Sequence, residues 1–553
     1  MKNKLATKII FTVLLGLVVT GAAYYFMLPA INVHSTGFWT FLMIPVLCFA
    51  LPFLFKKVEG ENVRKSKVKV NGINIFTSKS SRKINKVALT IIIIPIAALV
   101  LGGILSSEMF NAQKYASVIT VTEAKFDEDM KETDEVTNIA LMDSESAQIV
   151  GNRTLGTLSD VVSQYEIGEK YTQINLGGTP KKVANLEYAD FFRWLNNKER
   201  GIPGYVKVDP VANSAEYVAL EKPMKYVDSA FFGEDLMRKL RFAYPTKIFD
   251  FISFEIDEEG NPHYIVSCIS PNAGLFGAMD VKEVIIFDPI SGESDIYDLS
   301  EVPAWVDAVF SGTLAEEKYN WHGMLSGGFI NSIIGNVGCK QTTDNYGYIV
   351  IGDDVWYYTG VTSVTNDESN IGFIISNART GEYKYYSVVG AEEYSAMKSA
   401  EGQVQNMGYN ASFPSLVNVS GQATYIMVLK DAGGYVKLYA LVNVENVSIV
   451  ATGSTQSEAM SAYKKLLVEK GVVSEKLPDI PEEEKLKAEF KIESIRDVVI
   501  DGDTYFYITG DDGYTYKCNV GDFESVVLLT VGDTVAIEYE LTENEKIRGV
   551  VKY

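Results

Sequence analysis

The chain has 553 residues, 22% of them charged and 47% hydrophobic, and a formal net charge of −21. A chain of this length exceeds a single ordinary folding core and is expected to form several domains. The acidic surplus excludes nucleic acid as the expected partner, because phosphate binding needs clustered Lys and Arg side chains.

Three long stretches near the N-terminus contain no Lys, Arg, Asp or Glu: residues 9–30, 38–55 and 87–106. A helix of about 20 apolar residues crosses a bilayer, so these stretches predict three transmembrane helices. The middle stretch is the shortest, and its two prolines, Pro45 and Pro52, are expected to bend it.

Basic residues set the predicted orientation. Lysines precede the first stretch, and the loop at residues 56–86 carries ten Lys and Arg against two Glu. Since Lys and Arg beside membrane spans stay cytoplasmic, the N-terminus and this loop are predicted inside the cell. The result is a multi-pass cell-membrane protein with its anchor at residues 1–106 and a large extracellular part. A cleaved signal peptide at the small residues 21–23 is the competing interpretation of the first stretch.

The predicted extracellular part begins with an α+β region at residues 107–247, where apolar faces predict helices at 188–197 and 232–243. A unit of short β-branched and aromatic strands then recurs, and a glycine-rich connector at residues 312–343 interrupts the array. Each unit is predicted to contain four antiparallel strands closed by one helix. The copies are residues 248–311, 344–410 and 411–468. Their helices are predicted at residues 303–310, 392–405 and 457–467.

Two turns in these units share a sequence pattern. They read Asp288-Pro289-Ile290-Ser291-Gly292-Glu293 and Thr380-Gly381-Glu382, and each lies between an apolar and an aromatic strand. This arrangement resembles the PepSY-type module, and the likeness covers residues 250–467. The third copy departs from the pattern, with Asn443-Val444-Glu445-Asn446 at the turn. The resemblance implies a non-catalytic binding or inhibitory module outside the membrane, since related domains accompany secreted peptidases.

The C-terminal part is set apart by a charged, proline-containing linker at residues 469–487. Short strands separated by Asp-Gly turns fill residues 488–553 and are similar to the small barrel of an OB-fold. Few basic residues lie on these strands, which disfavours nucleic-acid binding. The predicted fold class is therefore α+β, with N-terminal transmembrane helices, repeated antiparallel sheet units that each carry a helix, and a small all-β barrel.

The sequence contains no motif that assigns an enzymatic reaction. Its histidines are His34, His263 and His322, and none accompanies a nucleophile motif. Acidic turns such as 353–354 and 511–512 lack the remaining ligands of a calcium loop, so turn formation is their simpler explanation. Neither catalytic residues, a cofactor nor a metal is expected. The four cysteines show no metal-type spacing, a Cys268–Cys339 bridge stays open, and sparse cysteine usage favours a bacterial surface.

The glycine-rich connector and the strand after it provide the candidate partner-binding residues, because exposed loops between sheet units commonly carry function. These residues are Trp321, His322, Phe329, Trp356, Tyr357 and Tyr358. The favoured hypothesis is a membrane-anchored binding, scaffold or assembly protein whose partner is a cell-envelope or membrane protein, or another copy of the chain. The alternative is a cell-envelope hydrolase that uses paired carboxylates in a cleft.

Overall fold

The structure is a computed structural model that describes residues 2–50, 54–57, 66–70, 73–77, 82–132, 141–364, 366–473, 486–500, 503–520, 524–541 and 547–552. It confirms a mixed α+β fold with apolar N-terminal helices and several antiparallel sheets. The chain divides into two compact units, Met1–Leu466 and Leu467–Tyr553.

The N-terminal segment forms the apolar helices α1 (Lys2–Met27), α2 (Thr36–Ala50) and α3 (Lys86–Ser106). Residues 10–27 of α1 and all of α3 are long and apolar enough to cross a membrane. The middle predicted span forms a shorter helix of 15 residues, with Pro45 inside it. Between α2 and α3 lie four short strands, which pair as β1 with β4 and β2 with β3. They are β1 (Phe55–Lys57), β2 (Ser66–Val70), β3 (Ile73–Thr77) and β4 (Arg82–Ile84).

The next part of the first unit builds a twisted antiparallel sheet in the order β10-β9-β8-β6, with β7 also paired to β8. Before the sheet come α4 (Glu108–Ala116), β5 (Val121–Ala124), α5 (Phe126–Asp129), α6 (Ser144–Gly156) and α7 (Ser159–Val162). The sheet strands are β6 (Tyr165–Ile167), β7 (Thr172–Leu176), β8 (Thr179–Tyr188), β9 (Ile202–Asp209) and β10 (Ser214–Met224). The two predicted helices of this region are shorter than expected, because Asp190 caps α8 (Phe191–Asn197) and Asp235 caps α9 (Leu236–Ala243).

The second sheet is an antiparallel meander, in which each strand pairs with the next one along the chain. Its strands are β11 (Ile248–Ile256), β12 (Pro262–Ala273), β13 (Gly277–Phe287) and β14 (Ser294–Asp298). The helix predicted at residues 303–310 is wrong: that segment is irregular and buries Val306, Val309 and Phe310 against the sheet. The helix lies later, at α10 (Gly312–Leu325), where Ser311 caps it by accepting a hydrogen bond from Leu314 N–H. Much of the predicted glycine-rich connector is therefore helical.

Two further meanders complete the first unit. One contains β15 (Lys340–Thr342), β16 (Gly347–Ile351), β17 (Asp354–Ser363), β18 (Asn366–Asn377), β19 (Tyr383–Tyr386) and β20 (Gly390–Ala391). Strand β5 joins its edge by pairing parallel to β19, and α11 (Glu393–Gln403) follows. The other contains β21 (Asn410–Ala411), β22 (Ser415–Val419), β23 (Gln422–Lys430), β24 (Val436–Asn443) and β25 (Val450–Gly453), followed by α12 (Gln456–Glu469).

The turns that carried the PepSY resemblance have the same backbone arrangement. In the first, Gly292 N–H donates to the Asp288 carbonyl at 2.8 Å, and the Asp288 carboxylate accepts from Ile290 N–H at 2.7 Å. In the second, Gly381 N–H donates to the Asn377 carbonyl at 3.0 Å, and the Asn377 side chain accepts from Arg379 N–H at 2.9 Å. Both glycines have positive φ angles, near +76° and +72°. The turns are thus equivalent in conformation as well as in sequence.

The ends of the apolar helices are joined to the second sheet. Ser106, the last residue of α3, accepts hydrogen bonds at its side-chain oxygen from Leu275 N–H (2.8 Å) and Phe276 N–H (3.0 Å) in the β12–β13 turn. Gly277 lies so close to this helix end that an added Cβ would be 2.3 Å from the Ser106 carbonyl oxygen. On the other side, Arg241 of α9 donates to the Leu28 carbonyl beyond the end of α1, at 3.0 Å. The C-terminal ends of α1 and α3 therefore contact the same body.

The C-terminal unit contains β26 (Leu486–Ile500), β27 (Asp503–Gly510), β28 (Thr515–Asn519), β29 (Thr534–Leu541) and β30 (Ile547–Lys552). Strand β26 pairs with both β27 and β29, β28 pairs with β27 and β30, and β30 pairs with β29. The stacked rings of Phe490 and Tyr516, 4.2 Å apart, lie in its core. Most of the predicted linker, residues 474–485, lies outside the described residues.

Candidate functional site

The first unit contains a cleft of about 800 Å³. Its walls come from α6, from the β6–β8 part of the first sheet, from the middle of β11 and the start of β12, from residues 308–313, and from β16 and β17. This volume is within the range usual for sites that hold a small molecule or a few residues of a peptide. Carboxylates, tyrosines and side-chain amides line it.

The acidic wall of the cleft contains a like-charge pair. Glu166 on β6 and Glu187 on β8 are direct cross-strand partners in the antiparallel register. Like charges in this position destabilise a sheet. Glu169 and Asp228 also line the cleft, and Lys170 is the single Lys or Arg among the described lining residues. The cleft therefore carries a local negative charge that the single lining lysine does not neutralise.

The environment disfavours the ionised form of two of these carboxylates. Burial raises the pKa of Glu187, and the neighbouring charges of Asp228 and Glu166 raise it further. Burial also raises the pKa of Asp228, although Lys170 acts in the opposite direction. Asp228 is enclosed by the protein on most sides, while the solvent that fills the cleft still reaches its side chain. A cation bound between these groups would stabilise both of them as carboxylates.

Buried polar atoms along the cleft have no hydrogen-bond partner within the described part of the chain. They are the hydroxyls of Tyr171 and Tyr264 and the side-chain carbonyl oxygen of Gln173. All three residues are more than nine-tenths buried. Burial and the negative charges of Asp228 and Glu187 raise the pKa of Tyr264 well above its ordinary value, so its hydroxyl is a donor beside the acidic wall. Buried polar groups without partners are rare in native proteins, and these three atoms lie beneath the cleft surface rather than on it.

Another part of the cleft lining is aromatic. The rings of Tyr346 and Tyr348 lie 5.2 and 5.4 Å from the ring of Tyr357, in tilted or edge-to-face contacts. Behind them, the buried Lys182 ammonium lies 5.0 Å from the centre of the Tyr348 ring. Burial lowers the pKa of Lys182 to about 8, and Asp143 partly opposes this shift. Aromatic rings in a cleft that also contains carboxylates favour an organic cation.

A second carboxylate pair lies behind the cleft and is structural. The Glu255 carboxylate accepts hydrogen bonds from Asp307 N–H at 2.8 Å and Ala308 N–H at 3.0 Å, and Asp307 accepts one from Asn175 N–H at 2.7 Å. Burial raises the pKa of both carboxyl groups, and their mutual repulsion raises that of Asp307 further. These groups hold the irregular segment around residue 307 against β7 and β11, away from the cleft surface.

The six partner-binding residues predicted from the sequence do not lie together in the structure. Trp321 and His322 lie on α10, and Trp321 and Phe329 pack on a cluster that contains Tyr115. On β17, Trp356 and Tyr358 point into one core and Tyr357 into another, where Tyr357 also lines the cleft. Only Tyr357 of the six belongs to the cleft.

The structure also describes the acidic turn at residues 353–354 and the cysteines that the sequence offered for metal binding or a disulfide. Among the described residues, no group of three or more His, Cys, Asp or Glu side chains is arranged to hold a metal ion. In the acidic turn at residues 353–354, the Asp354 carboxylate is bound by the Arg379 guanidinium at 2.6 Å. Cys268 and Cys339 are both free, buried thiols and form no bridge.

Sequence reasoning missed the acidic wall because only strand register places Glu166 opposite Glu187. The available signal was the repeated aromatic–Glu–aliphatic alternation in Tyr165-Glu166-Ile167 and its reverse, Leu186-Glu187-Tyr188. Each segment presents its Glu on the face opposite the buried neighbours. No protein-family model matches the chain, and no curated protein shows significant similarity to it. The cleft must therefore be interpreted from its own chemistry.

Proposed function

We propose that this protein is a membrane-anchored, non-catalytic binding protein of the cell envelope. Its cleft takes a cationic ligand, the ammonium or guanidinium side chain of an extended peptide or protein segment. The observation that carries the proposal is the Glu166–Glu187 pair, placed side by side at a cleft in which Lys170 is the single Lys or Arg among the described lining residues. A cation between the carboxylates removes their repulsion and is held by charge-assisted contacts to both of them.

The anchor and its orientation belong to the same proposal. The helices α1 and α3, whose residues 9–27 and 87–106 contain no Lys, Arg, Asp or Glu, cross the membrane with α2 between them, and the basic loop at residues 56–86 stays inside the cell. Contacts of both helix ends with the α9 and β12–β13 regions support an extracellular position for the cleft. The equivalent turns at Asp288 and Asn377 support the PepSY-like modules, and the strand pairing of the C-terminal unit supports the OB-like barrel.

The affinity for a lysine side chain tests the binding function. The purified full chain in detergent is titrated calorimetrically with a blocked Ala-Lys-Ala tripeptide and with the same tripeptide acetylated on its lysine. We expect binding of the charged peptide only, weakened by salt. We expect Glu187→Gln to lower the affinity about tenfold, since one charge-assisted contact contributes about 1.4 kcal/mol or more.

The matched control is Glu258→Gln, an exposed glutamate in the β11–β12 turn of the same unit. It removes one negative charge without touching the cleft and is expected to leave the affinity unchanged. Equal binding of both peptides, or equal loss in both variants, would contradict a carboxylate-based site. Release of cleaved peptide or sugar products, lost in Glu187→Gln, would instead favour the hydrolase.

A further inference from the structure

The exterior body of the first unit carries two exposed apolar surfaces. The aromatic patch consists of Phe191, Phe192, Leu195, Phe231 and Phe232, whose exposed fractions range from 36% to 68%. The apolar loop consists of Ile330, Ile333, Ile334 and Val337, whose exposed fractions range from 61% to 80%. Exposed apolar groups of this size and clustering mark a contact with a partner or a membrane.

The aromatic patch is joined directly to the end of α1. The Arg238 guanidinium donates to the Phe232 carbonyl at 2.6 Å and lies 4.3 Å from the centre of the Tyr25 ring. Phe242, one turn further along α9, has its ring 6.0 Å from that of Tyr24. The patch is therefore next to the C-terminal end of the first apolar helix.

The apolar loop is joined in the same way to the end of α3. Phe329, the residue before the loop, packs on the cluster of Tyr115 and Ala273. The Tyr115 hydroxyl donates to the carbonyl of Ser106 at 2.8 Å, and Ser106 is the last residue of α3. The loop thus begins beside the point where the third apolar helix ends.

The occupant of both surfaces is the outer face of the lipid bilayer that contains α1 and α3. We infer that the aromatic patch and the apolar loop insert into the head-group region, so that the exterior body rests on the membrane. The inference rests on the proposed anchor. Aromatic and aliphatic side chains favour this interfacial region.

Charge and backbone conformation support this assignment. Lys198 lies beside the aromatic patch, with its ammonium 5.8 Å from the centre of the Trp194 ring, while Arg193 is paired with Asp190. Residues after 106 hold 37 Lys and Arg against 69 Asp and Glu, so the Lys198 ammonium beside this patch stands against the general trend and suits anionic head groups. Phe232 has a positive φ angle of 57°, a strained conformation for a bulky residue that holds it outside the core.

Depth-dependent fluorescence quenching tests the inference in the full chain. The protein, with Cys48→Ala, is reconstituted in vesicles of phosphatidylcholine and phosphatidylglycerol, and an environment-sensitive dye is attached at Phe192→Cys or Ile334→Cys. Lipids carrying a spin label near the head group should quench both dyes several-fold more than a dye at Glu259→Cys. Glu259 lies in the turn at the opposite end of β12 from the tip that contacts α3.

A dye at Val100→Cys, an exposed position on α3, distinguishes failure of the bilayer contact from failure of the membrane anchor. Quenching at this position by lipids labelled deep in the acyl chains, without head-group quenching at Ile334 or Phe192, would overturn the inference and keep the anchor. Absence of quenching at all three positions would overturn both. Shielding of Ile334 and Phe192 from aqueous iodide without lipid quenching would identify a protein contact and overturn the bilayer as occupant.

Discussion

The protein is expected to unfold at a lower temperature at pH 8.5 than at pH 5.5. Burial raises the pKa of Glu393 to about 7 and raises that of Glu255 and Asp307 as well. The folded state therefore binds protons that the unfolded state has released. Protonation stabilises the fold fully below the unfolded pKa of each group, and this stability is lost as pH rises through the folded pKa. Glu393 alone is expected to contribute a loss on the order of 2 kcal/mol, since one pKa unit corresponds to about 1.4 kcal/mol, and Glu255 and Asp307 act in the same direction.

Replacing one buried carboxyl group distinguishes the effect of its raised pKa on stability from the effect of the protein's overall charge. Asp307→Asn keeps an oxygen that accepts the Asn175 N–H but cannot ionise. We expect this variant to melt higher than the parent at pH 8.5 and to show a weaker pH dependence in calorimetric scans. Asp127→Asn, an exposed position, is the matched control and should follow the parent. A melting temperature that rises between pH 5.5 and 8.5 would rule out this account.

Arg241→Ala is expected to destabilise the first unit by about 3 kcal/mol, because buried charge-assisted hydrogen bonds and a cation–π contact are lost together. The Arg241 guanidinium donates to the carbonyls of Leu28 (3.0 Å), Tyr244 (3.2 Å) and Lys247 (2.6 Å). It also stacks 4.2 Å from the centre of the Phe249 ring. Without it, these carbonyls lose a buried partner, and the chain after α1 loses one of the hydrogen bonds that join it to the α9 region.

Thermal unfolding and limited proteolysis check this second expectation. In Arg241→Ala, proteolysis should accelerate at residues 28–35, which follow α1. Arg153→Ala, on the exposed face of α6, is the matched control and should leave both measurements unchanged. Arg241→Lys should recover only part of the stability, because an ammonium cannot bind three carbonyls in the planar arrangement of a guanidinium. Parental stability in Arg241→Ala would contradict the proposed connection.

Features of the fold with a local physical cause were predictable from the sequence. Charge-free runs of the right length marked α1 and α3, because lipid-spanning helices require them. The Asp288 turn was readable because its Asp and Gly have a fixed conformational role. The α+β class followed from the alternation of strand-like and helical segments.

Other features depended on contacts that the sequence does not encode locally. The segment at residues 303–310 has helix-compatible residues, yet Glu255 and Asp307 hold it in an extended, irregular path through their backbone hydrogen bonds. The glycines around Trp321 suggested a loop, whereas the cap at Ser311 and the buried Leu314 and Tyr319 form α10. The acidic wall required the register of β6 against β8, which is set by tertiary packing.

Strand β12 also fixes the distance between the cleft and the C-terminal end of α3. Its tip contacts the last turn of α3, and Tyr264 at the cleft lies nine residues back along the same strand, a rise of roughly 30 Å at about 3.3 Å per residue. Ser107 alone separates α3 from α4, so the chain provides no slack at this junction. Under the proposed membrane anchor, this fixed distance would limit the cleft to segments presented roughly 30 Å from the end of α3.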